Sequence, residues 1–159
     1  MSADSTQREI LQSTFTHPMP YEWSIGLYGS MFLKEIKENQ RLAAIKCDGC
    51  GKVFVPPRRV CGPCFKELTE IVSLPPTGVI TAFTVVNYFL IDPATGKQRP
   101  IPYTYGYLKI DGADNIFSHF INELDVSRIK VGMKVKAVFK RKEEMEGNIQ
   151  DIKYFEIIS

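Results

Sequence analysis

The sequence lacks any apolar run that approaches the roughly 18 residues needed for a membrane-spanning helix. Its first ten residues include Asp4 and Glu9, and they have neither the basic nor the apolar region of a secretory signal. With 44% hydrophobic and 24% charged residues, the composition excludes fibrous and disordered chains. These absences predict a folded cytoplasmic protein, and 159 residues are enough to bury a substantial core.

The chain also lacks a large excess of charge of one sign. Its 20 Lys and Arg residues against 18 Asp and Glu residues leave a net charge of +2, whereas domains that coat nucleic acid are usually strongly basic. The balance is uneven, because residues 41–66 carry six basic and one acidic residue (+5) and residues 128–142 carry seven basic and none acidic (+7). Nucleic acid is therefore disfavoured as a partner, but two basic stretches need an explanation.

The motifs of autonomous enzymes are missing as well. We find no G-x-S-x-G turn, no P-loop and no G-x-G-x-x-G motif. The two histidines are His17, in a polar stretch, and His119, which shares a predicted strand face with Phe117 and Ile121 and is expected to be packed rather than catalytic. We predict no catalytic residue and no enzymatic activity of the chain on its own.

Apolar periodicity divides the chain into four segments. Residues 1–20 are predicted to form a polar N-terminal arm, and residues 21–40 one or two amphipathic helices. Residues 41–74 hold all four cysteines, and residues 75–159 show the period of two that is typical of strands. The five predicted strands are Val79–Leu90, Tyr103–Ile110, Asn115–Ile121, Lys134–Lys142 and Ile149–Ile158.

No long helix separates these five strands, so we expect a mainly antiparallel arrangement. A five-stranded OB-fold barrel limits exposed edges at this size, and an open sandwich is the alternative. The predicted fold is mainly β with N-terminal helices, in which a small metal-binding ribbon precedes the barrel.

The four cysteines form two C-x-x-C pairs, Cys47 with Cys50 and Cys61 with Cys64, separated by ten residues. Each pair can present two sulfurs from one tight turn, and a short hairpin between the pairs can bring the turns together. This pattern predicts a structural zinc site of four thiolates, with iron as the less favoured metal. Two redox pairs or two disulfides are the alternatives, but the first needs a βαβ context and the second an oxidising compartment.

Two basic features could bind anions. Arg58 and Arg59 follow a stiff Pro-Pro pair near the cysteines and are candidates for a phosphate or carboxylate contact, or else an ordinary exposed pair. On the strand Lys134–Lys142, four lysines share one face. That basic ridge is either a solvent-exposed barrel face or an anion-binding surface.

Tyr103, Tyr105 and Tyr107 form a row on one face of the second predicted strand. They could belong to a packed core, stack on bases as in single-strand-binding OB domains, or cover a protein interface. Between the two functional alternatives we favour the interface, because basic and aromatic positions do not interleave on this strand.

Taken together, these motifs resemble a known family. The stretch from Leu42 onward, L-x4-C-x2-C-G-x4-P-P-R-x2-C-x2-C followed by G-V-I-T-A-F-T-V-V, is similar to the acyl-CoA-associated proteins that join a rubredoxin-like zinc ribbon to an OB-fold. The resemblance covers residues 21–158 and includes Trp23 in the helical lead-in and the segment Ile129–Val135. Two departures are Cys61-Gly-Pro-Cys-Phe65, where the family has C-P-x-C-G, and a long loop over residues 91–102. We expect a less regular second cysteine turn at Phe65.

The resemblance implies a non-catalytic accessory subunit of a CoA-thioester enzyme: a thiolase above all, or a hydratase or aldolase. Such a subunit would help to assemble the complex and hold the CoA thioester, while the partner would supply the nucleophile. Within the family, the chain looks most like the small subunits of benzoylsuccinyl-CoA-type thiolases of aromatic degradation. The alternatives are a nucleic-acid-binding ribbon/OB module and an iron-based electron carrier.

Overall fold

The computed structural model describes residues 24–89, 91 and 96–158. The predicted arm over residues 1–20, with His17, and the start of the helical segment, with Trp23, lie outside the described residues. Within the described part, the helix α1 spans Gly26–Asn39. The strands are β1 (Leu42–Lys46), β2 (Val53–Phe54), β3 (Glu70–Leu74), β4 (Thr77–Val86), β5 (Tyr103–Ile110), β6 (Phe117–Ile121), β7 (Lys134–Phe139) and β8 (Ile152–Ile157).

The predicted N-terminal helical segment contains one helix over its described residues. It buries Phe32 and Ile36 against the rest of the protein. The helix ends where Gln40 takes a left-handed conformation with φ of 53° and donates its backbone N–H to the Ile36 carbonyl at 3.0 Å. Ile25 and Leu27, at the start of the helix, remain 52% and 69% exposed, whereas Tyr28 packs against the buried cluster that contains Cys47 and Cys61.

Strands β1 to β3 form a small antiparallel sheet in the order β2-β1-β3. The central strand β1 pairs with β2 through Ile45 opposite Phe54 and with β3 through Leu42 opposite Leu74. The first four residues of β1 are buried, because helix α1 and both neighbouring strands cover it. This sheet carries the cysteine turns.

Strands β4 to β8 close into a barrel in the order β4-β5-β6-β8-β7. Every pair is antiparallel except β6 with β8, which pair in parallel through Ile121 and Phe155 alone. The predicted five-stranded OB-fold barrel is confirmed, since all five strands are present and β7 returns to β4 to remove the sheet edge. Its interior is apolar, with Ile80, Leu108, Ile110, Val135, Ile152 and Phe155 all buried.

Several predicted strand bounds are wrong. The first barrel strand ends at Val86, the fourth ends at Phe139 rather than Lys142, and the fifth begins at Ile152. Short 3-10 helices at Lys142–Glu144 and Ile149–Asp151 occupy the connection between the last two. This connection is held by Asp151, a buried carboxylate that accepts hydrogen bonds from the backbone N–H groups of residues 146, 147 and 148. The segment therefore folds into a compact loop instead of extending the last two strands.

The ribbon sheet and the barrel share contacts. The loop between β5 and β6 supplies Asp114 and Asn115, whose side chains bind the backbone N–H groups of Val53 and Val55 at 2.8 and 2.9 Å. The Asn115 amide also donates to the Val55 carbonyl at 2.6 Å. These side chains act as a strand partner for the end of β2, and they fix the ribbon against the barrel.

None of the helices in the described residues is both long and apolar enough to cross a membrane.

Candidate metal centre

The four cysteines lie in two turns that have the same backbone hydrogen bonds. In the first turn, the Cys47 N–H donates to the Lys52 carbonyl and the Gly51 N–H donates to the Cys47 carbonyl, both at 2.8 Å. In the second turn, the Cys61 N–H donates to the Lys66 carbonyl at 2.9 Å, and the Phe65 N–H donates to the Cys61 carbonyl at 2.8 Å. The two turns therefore have the same backbone conformation, and each presents two cysteine sulfurs.

The expectation of a less regular second turn is wrong. Phe65 adopts a φ of 57°, close to the 72° of Gly51, so it reproduces the left-handed conformation on which the first turn depends. A side chain with a Cβ is disfavoured there. The Phe65 ring gains little in return within this chain, because the residue is 83% exposed.

The four Sγ atoms converge on one point. Those of Cys47, Cys50, Cys61 and Cys64 all lie within 4.8 Å of one another. The Cys50 and Cys61 sulfurs are 3.6 Å apart. A tetrahedral zinc ion with Zn–S bonds of about 2.3 Å separates its sulfurs by about 3.8 Å, so the arrangement fits such an ion with small adjustments. The disulfide alternative gains no support, because all four cysteines are free thiols.

Thiol acidity in the cluster indicates the need for a cation. A hydrogen bond from the Lys52 backbone lowers the pKa of Cys50 to about 7. The neighbouring Cys50 sulfur, followed by burial, raises the pKa of Cys64 to about 12. Four thiolates cannot accumulate here without a positive charge between them, and a bound metal ion supplies that charge.

Arg58 and Arg59 have different surroundings. The Arg58 guanidinium lies over the ring of Phe54 at 3.5 Å from its centroid, on the ribbon core. Arg59 extends to solvent and forms an ion pair with Glu67 at 3.2 Å. Both residues are exposed, and their role in anion binding stays a prediction.

The structure divides the predicted basic ridge. Lys134 and Lys136 are exposed on β7, opposite the buried Val135 and Ala137, as the alternation predicts. The strand ends before Lys140, which instead forms an ion pair with buried Asp151 at 3.5 Å. The expectation of four lysines on one strand face is therefore wrong for its C-terminal half.

The row of Tyr103, Tyr105 and Tyr107 lies on the outer face of the barrel. The intervening Thr104, Gly106 and Leu108 face the interior, so the core-face alternative is wrong. Tyr103 and Tyr105 pack edge-to-face on Phe120 with ring centroids 5.8 and 5.1 Å away, whereas Tyr107 is 56% exposed.

Sequence reasoning missed Arg99. Its guanidinium lies 4.1 Å from the ring centroid of Phe120 and 5.7 Å from that of Tyr103. Arg99, from the loop before β5, thus places a cation among the aromatic side chains of this face. The loop that carries Arg99 gives no sequence signal of this placement.

Comparison with known proteins matches both parts of the chain to domains of one protein type. Residues 35–69 match the ChsH2 rubredoxin-like zinc ribbon domain, and residues 71–140 match the ChsH2 C-terminal OB-fold domain. The first match contains all four cysteines, which agrees with their convergence. The first match ends at Thr69 and the second begins at Ile71, on either side of Glu70, the first residue of β3.

Two archaeal proteins and two solved structures are similar over most of the chain. DUF35 domain-containing scaffold proteins of Methanocaldococcus jannaschii and Methanothermobacter thermautotrophicus are each 26% identical, over 70% and 73% of this chain and 76% and 85% of their own. A DUF35-family protein of unknown function from Sulfolobus solfataricus aligns with a TM-score of 0.58 and 18% identity, covering 84% of this chain and 87% of its own. A structure described as an Ltp2-ChsH2(DUF35) aldolase aligns with a TM-score of 0.60 and 18% identity, covering 86% and 98%. These structural likenesses concern the fold.

Proposed function

Because the chain belongs to the ChsH2-type DUF35 family, in which a rubredoxin-like zinc ribbon precedes an OB-fold domain, we propose that it is a non-catalytic accessory subunit of an enzyme complex that processes CoA thioesters. A thiolase is the partner we favour, with an aldolase or a hydratase as the alternatives. The observation that carries the proposal is the match to two proteins named as scaffolds, which extends over 70% or more of this chain.

The use of all four cysteines in the metal centre favours a non-catalytic role for this chain. All four cysteines of the sequence lie in the cluster, so none is left over as a nucleophile. We propose that Cys47, Cys50, Cys61 and Cys64 hold a zinc ion, and that iron is the less favoured occupant. The ion would supply folding energy to a ribbon whose own core is small.

Two surfaces are candidates for the contacts of such a subunit. Arg58 and Arg59 could contact the phosphates or carboxylate of a CoA thioester shared with the partner, because exposed guanidinium groups suit such anions. Tyr107, together with Tyr103 and Tyr105 on the same face of β5, offers an aromatic surface of the kind that is enriched at protein interfaces.

The direct test is co-expression of the full chain with a thiolase-like enzyme encoded beside it. We expect the two to co-purify, and thiolysis by the complex to exceed that by the enzyme alone. Parallel assays of aldol cleavage and hydration distinguish the other partner classes. If the chain neither co-purifies with nor alters the activity of any of these enzymes, the proposal fails.

A matched pair of variants tests the CoA contact. Arg58→Ala and Arg59→Ala each remove one exposed guanidinium, but only Arg58 also packs on the ribbon core. We expect both to raise the KM for the CoA thioester about tenfold or more, since a charge-assisted hydrogen bond is worth roughly 1.5–3 kcal/mol. An unchanged KM in both variants would contradict the contact.

A nucleic-acid-binding module is the second candidate. The observation in its favour is Arg99, which brings a cation among the aromatic rings of the outer barrel face, an arrangement that suits base stacking. Single-stranded oligonucleotides should then be retarded in a salt-sensitive manner. Absence of retardation at low salt would eliminate it, and metal analysis that finds zinc would eliminate electron transfer through iron.

A further inference from the structure

The two cysteine turns differ in one exposed side chain. Each turn ends in a lysine whose carbonyl accepts the N–H of the first cysteine, Lys52 in the first turn and Lys66 in the second. The residue before that lysine is Gly51 in the first turn and Phe65 in the second. Phe65 is 83% exposed, more than any other large apolar residue that the structure describes. The second turn therefore presents an aromatic ring to solvent beside the metal centre.

A phenylalanine at this position has no structural advantage within the chain. Its φ of 57° lies in the left-handed region, where a Cβ is disfavoured, and a glycine with φ of 72° serves at the equivalent position of the first turn. Strained residues of this kind persist where another contact compensates for the strain. A ring that is 83% exposed finds little compensation inside the chain, so a contact outside the chain is the remaining explanation.

The surroundings of Phe65 are basic. Residues 47–66 have a net charge of +3, from the four basic residues Lys52, Arg58, Arg59 and Lys66 and the single acidic residue Asp48. Arg59 is paired with Glu67, whereas the other three cations form no ion pair within the described part of the chain. A partner that carries negative charge around the contact is therefore favoured.

Two of these cations lie directly against the cysteine turns. The Lys66 side chain crosses from the second turn to the first, where a Cβ on Gly49 would lie 2.8 Å from its Cδ and 3.2 Å from its Nζ. Glycine at position 49 permits this close approach, since a Cβ there would displace the lysine. The Arg58 guanidinium lies over the Phe54 ring, with its Nη2 3.9 Å from where a Cβ on Gly62 would be. Positive charge thus lies at the metal-bearing end of the ribbon, around both turns.

We propose that Phe65 is the anchor of the interface with the partner enzyme: its ring enters an apolar pocket of that enzyme, and carboxylates on the rim of the pocket pair with Lys52 and Lys66. This anchor presupposes the proposed function, and it identifies the end of the chain that meets the partner. Aromatic side chains are enriched at protein interfaces, and a few central anchors surrounded by a polar rim carry most of the binding energy.

Charge favours a different protein over a second copy of this chain as the occupant. A symmetric pairing of two copies through Phe65 would place one end with a net charge of +3 against another. Like charges brought together at an interface oppose association, whereas an acidic rim on the partner enzyme would promote it.

Binding of the full metal-loaded chain to the thiolase-like enzyme encoded beside it, measured by surface plasmon resonance without CoA, tests the anchor. Phe65→Gly should weaken the complex by about thirtyfold or more, the loss that defines a hot spot. This variant gives the second turn the residue that the first turn has, so we expect it to fold and to keep its metal. Phe89→Ala is the matched control, because Phe89 is 71% exposed, lies outside the ribbon and has no positive φ. It should leave the affinity unchanged.

The rim is tested by single charge changes. Lys52→Gln and Lys66→Gln should each slow association about threefold and reduce its dependence on salt, since rim charges act mainly on the encounter of the two proteins. Lys109→Gln makes the same charge change at an exposed position on β5 and should leave the association rate unchanged.

Tryptophan fluorescence reports the burial of position 65 directly. Trp23→Phe removes the single tryptophan of the chain, and Phe65→Trp is then introduced in that background. We expect this chain to keep its affinity within about threefold and its emission to shift to the blue when the partner enzyme is added. The signal of the partner is subtracted with the Trp23→Phe chain, and Phe89→Trp in the same background should show no shift.

The outcomes separate this anchor from the accessory role itself. If the parent chain binds no CoA-thioester enzyme, the proposed function and the anchor both fail. If the parent chain binds but Phe65→Gly binds equally well, or the emission of the Phe65→Trp chain does not shift, the anchor is overturned and the accessory role stands. A loss of affinity in Phe65→Gly that requires CoA would assign the ring to the CoA adenine and would equally overturn the protein contact.

Discussion

Position 65 holds a phenylalanine in a backbone conformation that position 51 gives to a glycine. Both residues donate their backbone N–H to the first cysteine of their turn at 2.8 Å. The conformation is therefore set by the sulfur-bearing turn and not by the side chain. For an L-residue the left-handed region is disfavoured by roughly 1–2 kcal/mol, and Phe65 accepts this disadvantage while most of its ring is exposed.

Replacing this residue should stabilise the protein. We expect Phe65→Gly to raise the free energy of unfolding of the zinc-loaded chain by about 1 kcal/mol, since it relieves the left-handed strain and removes few contacts. Denaturant unfolding measures the change. Gly51→Ala is the mirror-image control and should lower the same free energy by a similar amount. A destabilised Phe65→Gly protein would contradict this account of the turn.

His119 should make stability depend on pH. Its pKa falls from 6.5 to about 4 on folding because of burial, so the unfolded chain binds more protons in that interval. Stability is then complete above about pH 6.5 and declines by up to about 3 kcal/mol as the pH falls towards 4. His119→Phe should flatten the dependence in urea unfolding measured at several pH values. An equal slope in both proteins would assign it to other groups.

At the scale of elements, the β4–β5 pair shows how closely the barrel is packed. A Cβ at Gly78 would collide with the backbone carbonyl of Lys109 across the pair, and one at Gly106 would meet the end of the Ile121 side chain. The first obstacle belongs to a hydrogen-bonded strand and cannot move, whereas the second is a flexible side chain. Both glycines are therefore required by close approach, but to different degrees.

The two alanine substitutions should differ in their effect. We expect Gly78→Ala to lower the free energy of unfolding by about 3 kcal/mol or to prevent folding, and Gly106→Ala to lower it by about 1–2 kcal/mol, as Ile121 adjusts. Chemical denaturation of the two variants, compared with the parent protein, measures this order. A larger loss for Gly106→Ala would mean that Ile121 has no alternative rotamer.

The whole molecule has two cores of unequal independence. The smaller one contains Ile45, Cys47, Phe54, Cys61 and Leu68 and surrounds the sulfurs. The larger one joins helix α1 and part of β1 to the barrel interior. Metal loss should affect the first core directly, because a ribbon of this size has little apolar surface to hold it together.

Removal of the metal should therefore unfold the ribbon and spare the barrel. We expect a strong chelator to abolish amide-exchange protection over residues 47–68, while β4 to β8 keep most of theirs in hydrogen-exchange mass spectrometry. Cys47→Ser should reproduce this pattern without a chelator, with a loss of several kcal/mol in the ribbon. Exchange that rises equally in both parts would show that the chain unfolds as one cooperative unit.

The sequence by itself determined the local features of this protein. The C-x-x-C spacing specified which sulfurs converge, and the period of two specified five barrel strands, because both depend on residues that are close along the chain. The prediction that the fourth strand extends to Lys142 was wrong. Asp151, eleven residues beyond Lys140, binds the Lys140 ammonium and the intervening backbone, and so holds this segment in a loop. The sequence also left open whether the tyrosine row faces the core or the outside of the barrel, because both faces of that strand carry apolar residues and only barrel closure decides which face is buried.

Only the tertiary structure decided how distant segments combine. It placed Arg99 over Phe120, joined the ribbon to the barrel through Asp114 and Asn115, and buried His119 on β6 with no hydrogen-bond partner at Nδ1. These features arise from barrel closure and from the single pairing between β6 and β8. No local pattern encodes them, because each depends on residues that meet only when remote strands pack together.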